Sequence, residues 1–150
     1  MTEVAFYHLT RSSLEEALPL LLGKSLEAGK RALVVASSAA KVEALTASLW
    51  TRDAASWLPH GSVKDGRAED QPVWLTDSPE NLNKAEFLFL TDGAEGADLG
   101  GFERCFELFD GTSDEAVKTA RAHWKSYTEQ GHTLTYWQQT GKGGWQKKET

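Results

Sequence analysis

Few residues of this 150-residue chain have the spacing that metal binding or catalysis needs. The four histidines, His8, His60, His123 and His132, are scattered and make no H-x-x-x-H pair, and the lone Cys105 leaves no C-x-x-C. Zinc sites need such clusters, so structural roles fit the histidines better and no metal site is expected. Cys105 lies in the apolar stretch ERCFELF, where a small buried hydrophobe is the ordinary reading and a nucleophile the exception. Asp92 precedes Gly93 at the end of an apolar run, a place where an α/β hydrolase can hold a catalytic acid, but a loop-starting Asp-Gly is the commoner explanation. The glycines between Gly93 and Gly101 match neither the dinucleotide fingerprint nor the phosphate loop, and no well-capped helix follows them. These residues predict no catalytic group and no cofactor. A nucleotide-binding or hydrolytic α/β protein using the Gly93–Gly101 loop and Asp92 is the alternative.

The strongest chemical signal is a charge pattern. Val117, Ala120, Trp124 and Tyr127 recur at spacings of three and four and define the apolar face of a helix. Lys118, Arg121 and Lys125 repeat one position on and flank that face with a basic stripe. From residue 118 to 148 the chain carries six Lys or Arg and one acid, Glu129, a local +5 in a chain whose net charge is −6, which leaves −11 for the rest. Basic residues complement the dipole at a helix C-terminus, which accounts for Lys125 but not for the stripe and tail together. An acidic protein that gathers its positive charge on one face offers that face to a negative partner.

The elements that must position this stripe read as one α/β domain over residues 1–150 with a mostly parallel central sheet flanked by helices. Val4–Leu9 reads as a buried strand. Ser12 and Ser13, each followed three residues later by Glu, cap a helix lined by Leu14, Leu18, Leu21, Leu22 and Ser25, with Pro19 predicting a separate first turn or a kink and Gly29 ending it. Arg31–Ala36 is a continuous apolar run, as in a strand buried on both faces, so strand, helix and strand make a parallel βαβ unit. Ser37 or Ser38 caps a second helix with Val42, Leu45 and Leu49 inward. Residues 62–71 read as a polar loop, Pro72–Thr76 and Glu86–Leu90 as short strands, and Glu103–Phe109 as a further strand. Thr112 to Glu115 caps the basic helix, Gly131 ends it, and His132–Gln138 alternates like a late edge strand, before a flexible Gly141–Gly144 turn.

Composition narrows the function classes. Hydrophobic residues at 40% and charged residues at 25% are ordinary for a globular domain. There is no apolar run long enough to cross a membrane and no basic-then-apolar leader, and a single cysteine suits a reducing compartment, so a cytoplasmic protein is expected. Net charge −6 argues against wrapping duplex DNA or lying on an anionic membrane. Six Trp is a high number for this length, and Trp is common at interface hot spots.

FYHLT near the start, LWTRDAASWLPHG, QPVWLT, FELFDG and ARAHWKSYTEQGH, in that order and spacing, resemble the chi subunit of bacterial DNA polymerase III holoenzyme across essentially the whole chain. The most specific parts are Leu49-Trp50-Thr51 with Trp57-Leu58-Pro59-His60, and Ala120-Arg121 with Trp124-Lys125, Tyr127 and Gly131. The resemblance implies a non-catalytic replication subunit, similar to nucleotide-binding folds but without a phosphate loop. It would bridge the psi subunit of the clamp loader to the C-terminal tail of single-stranded-DNA-binding protein. That tail is acidic and ends in Pro-Phe with a free carboxylate. By the same resemblance Arg121 would pair with the carboxylate, Trp124 would wall a pocket for the Phe ring, and Lys125 and Lys118 would meet the acidic residues. Trp50, Trp57 and Leu58 lie where the family contacts psi. The family commonly has Tyr at Trp124, Phe at Trp57, and an apolar residue near Asp110, so the far wall of the pocket is where this chain departs most. No sequence-specific contact with nucleic acid is implied.

Overall fold

The computed structural model describes residues 2–10, 14–51, 61–62, 71–78, 80–81, 83–91, 93–94, 99–139 and 145–148. Among these, β1 (Glu3–Leu9), β2 (Ala32–Val35), β3 (Gly61–Ser62), β4 (Val73–Thr76), β5 (Phe87–Thr91), β6 (Arg104–Asp110), β7 (Thr133–Gln139) and β8 (Trp145–Lys148) form one sheet in the order β3-β4-β2-β5-β6-β1-β7-β8. Every pairing is parallel except β7 with β8. The helices are α1 (Leu14–Glu27), α2 (Ala39–Thr51) and α3 (Asp114–Glu129). The α/β architecture with a mostly parallel sheet is the one the sequence predicts.

Helices cover both faces of the sheet because the central strands are apolar on both. Ala5, Val34, Leu75, Phe89, Phe106 and Leu108 pack with Leu18, Leu22, Val42 and Leu45 of α1 and α2. Val4, Phe6, Leu33, Val35, Leu88, Leu90 and Cys105 pack on the other face with Ala120 and Tyr127 of α3. Burying a side chain such as Phe6 or Leu18 contributes about 1.5–3 kcal/mol. Leu14 and Leu21 reach the first core from its margin, and Ser25 turns its hydroxyl back to the Leu21 carbonyl at 3.0 Å. The helix α1 is continuous through Pro19, with no separate first turn. Its proposed cap, Ser12–Ser13, lies outside the described residues. For α2, Ser38 is the cap: its Oγ accepts from Lys41 N at 3.3 Å. Among the described residues no helix is long and apolar enough to cross a membrane.

β1 and β2 run parallel, as expected, with β5 and β6 between them. Two expectations change. β7 is not an edge strand: β8 returns antiparallel and covers it, with Trp145 packed edge-on against Tyr7 at 4.9 Å. The ring contact and the four-residue ladder order a segment whose polar composition read only as a tail. Ser62, placed at the start of a loop, is buried in β3 and pairs with Leu75 of β4; residues 63–70 lie outside the described residues.

Candidate functional site

The helix α3 crosses the sheet from the C-terminal end of β6 to the N-terminal end of β7. Ser113 begins it in an extended conformation and accepts from Ala116 N at 3.2 Å. It ends at Gly131, whose φ of 88° needs no Cβ, with Gly131 N and His132 N donating back to Thr128 and Tyr127 carbonyls. Between these ends Ala120, His123 and Tyr127 are buried, and Val117 and Trp124 are partly buried against the same core.

Two polar assemblies lie on opposite sides of this helix. One is closed. Glu107, in the middle of β6, is 2% exposed, and both its oxygens lie 2.9 Å from His123 Nδ1. A carboxylate only accepts, so Nδ1 carries the proton and donates. The Tyr127 hydroxyl also donates to Glu107 Oε1 at 3.3 Å. Sequence reading missed this network, although the acid in FELF and the histidine between Ala120 and Tyr127 on the helix's inner face were its signal: a charge in a buried strand needs a partner. Above it opens a cleft of about 360 Å³, lined by Ser37, Lys41, Gly93, Glu107, Asp110 and Glu115 among others. This is the sheet end at which open α/β folds hold ligands. Among the described residues the cleft lining includes Glu107, Asp110 and Glu115 against Lys41, a balance that disfavours phosphate. Asp92 and residues 95–98 of the glycine-rich loop lie outside the described residues.

The other assembly is open. Lys118, Arg121 and Lys125 are exposed, and none of the three takes part in an ion pair among the described residues. Beside them Trp124 is half-buried: it meets Phe6 edge-on at 5.0 Å and Tyr136 of β7 at 6.0 Å. Trp124 thus packs against the core through these ring contacts while part of it stays accessible. Phe109 lies 6.2 Å from Tyr136 and 5.0 Å from His8. His8 Nδ1 is hydrogen-bonded to the Tyr136 hydroxyl. The opposite side of the imidazole fills the space where a Cβ on Gly111 would stand. Burial lowers the His8 pKa; a hydrogen bond with the Gly111 backbone opposes this and the Arg121 charge adds to it. Burial raises the Tyr136 pKa, with Arg121 acting against it. The guanidinium is therefore within electrostatic reach of both rings. His8, Phe109 and Tyr136 were not singled out by sequence, since nothing in the spacing of β1, β6 and β7 shows that these strands are neighbours.

Cys105 is 1% exposed and burial pushes its thiol up to about 12, in keeping with a core role. Trp50 is in the last turn of α2, but its side chain, with Trp57 and Leu58, lies outside the described residues. No group of three metal-ligating residues occurs among the described residues.

The fold and its open face define a class: an α/β sandwich in which, among the described residues, the cleft at the strand C-termini is lined by more acids than bases and α3 carries exposed cations in no ion pair. The family model for the DNA polymerase III chi subunit, HolC, matches residues 1–135, and the chain belongs to that family. A Rickettsia prowazekii (strain Madrid E) protein described as "Probable DNA polymerase III subunit chi" is 24% identical over 152 aligned residues, covering 98% of this chain and 92% of the relative. Membership of this family assigns the chain to DNA replication as a subunit of DNA polymerase III.

Proposed function

We infer that this protein is a non-catalytic adaptor, joining the psi subunit of the clamp loader to the acidic C-terminal tail of single-stranded-DNA-binding protein. The observation that carries the reading is the open face of α3: three exposed cations with no ion-pair partner among the described residues, on the helix that also carries a half-buried Trp124. An acidic peptide ending in an aromatic residue with a free carboxylate needs this pairing of a guanidinium with an apolar wall. Arg121 holds the terminal carboxylate, Trp124 borders the aromatic ring, and Lys118 and Lys125 meet the upstream acids. The psi subunit takes the surface of Trp50, Trp57 and Leu58, a reading that rests on family resemblance.

The test is fluorescence anisotropy of a labelled acidic peptide ending in Pro-Phe, titrated with the protein at low and moderate salt. Saturable binding that weakens with salt is expected. Arg121→Ala should weaken it by about 1.5–3 kcal/mol, roughly ten- to hundredfold, as for other charge-assisted bonds. Unchanged affinity in that variant would overturn the assignment. The acidic lining of the cleft counts against nucleotide binding, and a thermal-shift screen with nucleotides and magnesium should give no stabilisation.

A further inference from the structure

The side chain of Asp110, at the end of β6, is already used: Oδ1 accepts from Thr112 N at 2.9 Å and from Thr112 Oγ1 at 2.6 Å. Those bonds hold the turn before α3 and keep the Asp110 carboxyl below its ordinary pKa, so it stays charged. A charged, turn-capping carboxylate cannot wall an apolar pocket for an acidic peptide. Another group must do so, or the groove has one side only.

We propose that Tyr136 of β7, braced by His8 of β1, is the second aromatic wall of the Arg121–Trp124 groove and sets its preference for a partner ending in an aromatic rather than an aliphatic residue. The inference rests on the tail-binding reading given above. Three observations carry it. The Tyr136 ring is half-buried and stands edge-on to Trp124, an interplanar angle of 70°, so the two rings form a corner rather than a stack. A third ring entering that corner finds one face and one edge, the arrangement aromatic groups favour. The ring is also fixed. Its hydroxyl is bonded to His8, and His8 is in turn pinned between Phe109 and the Gly111 backbone, which admits it only for want of a Cβ. A fixed wall loses little entropy on binding, which is how a shallow groove discriminates. Finally, the charges suit only one kind of occupant: Arg121, Lys118 and Lys125 line the same side of α3, so an acidic peptide is drawn there and a basic one repelled.

The experiment compares two labelled acidic peptides that differ only in ending in Phe or in Leu, titrated with the parent protein, Arg121→Ala, Tyr136→Ala and Tyr136→Leu, each variant checked by thermal denaturation. The parent should prefer the Phe peptide by about three- to tenfold, the size of one aromatic pair contact. Both Tyr136 variants should bring that preference close to one while keeping the salt-dependent binding that Arg121→Ala removes. The Leu substitution keeps the site filled and decides the matter should the Ala variant not fold. A preference that survives in Tyr136→Leu overturns the proposal, as does an equal loss for both peptides, which marks a structural role only. Failure of the parent to bind either peptide overturns the tail-binding reading itself. Binding that needs Arg121 but is indifferent to Tyr136 leaves that reading intact and removes only the second wall.

Discussion

The two flanks of α3 make opposite use of polar side chains. On the flank toward β6, Glu107, His123 and Tyr127 satisfy one another out of water. On the solvent side, Lys118, Arg121 and Lys125 are exposed, Arg121 within electrostatic reach of His8 and Tyr136, with no ion pair among the described residues. The first arrangement uses its polarity to hold the helix to the sheet; the second leaves it exposed to solvent. The contrast teaches that a polar cluster is a functional candidate when its hydrogen-bonding capacity is unspent, not when it is buried or acidic.

The comparison can be broken from either side. The largest effect is expected on the closed flank. His123→Leu removes one donor from a carboxyl group that is 2% exposed, leaving the Tyr127 hydroxyl, and should cost about 3 kcal/mol in denaturant unfolding. Adding Glu107→Leu should return much of it, because an apolar pair of similar size replaces a buried polar pair at little cost. A single variant losing under about 1 kcal/mol would show the network does not anchor α3. Arg121→Ala comes next, with its tenfold or greater loss of peptide affinity and little change in stability. Lys125→Ala should cost only about 0.2–1 kcal/mol of affinity and flatten the salt dependence slightly, as exposed charges do. A large effect there would move the carboxylate site from Arg121 to Lys125.

The smallest effect concerns pH. The folded pKa of His8 lies below the ordinary imidazole value, chiefly through burial. Between that lowered value and about 6.5 the unfolded chain takes up a proton that the folded one resists. Stability from this group is therefore complete above about pH 6.5 and falls as the pH drops. Asp110, Arg121 and Tyr136 are the charged and titratable groups that face it. Thermal denaturation of His8→Leu should show a shallower decline on the acid side than the parent. An identical decline would mean that His8 is not held neutral by its surroundings.

Much of the fold was legible because its signals are local. Apolar runs at Ala32–Val35 and Phe87–Thr91, the Ser113 cap and the three-and-four spacing on α3 each depend on residues close in sequence. The same periodicity located Lys118, Arg121, Trp124 and Lys125 on one stretch of helix. What could not be read was non-local. Only the register joins His8 to Phe109 and Phe6 to Tyr136 across neighbouring strands, so the aromatic corner was invisible. The covering of β7 by β8 was missed for a related reason: Trp145 acts through Tyr7, and no short-range pattern announces that contact.

The position of β1 at the heart of this arrangement has a consequence in time. It is the first strand of the chain, yet its partners are β6 and β7, with Glu3 in register with both Arg104 and Thr133. Loops of that length close slowly, so pairing that spans most of a chain delays folding. On the ribosome, residues 6 to 8 wait while nearly the whole polypeptide emerges, and the corner between Trp124 and Tyr136 cannot form before β7 arrives. The face proposed to recognise a partner is thus among the last parts of the molecule to exist, and a chain interrupted anywhere before residue 136 lacks its aromatic corner.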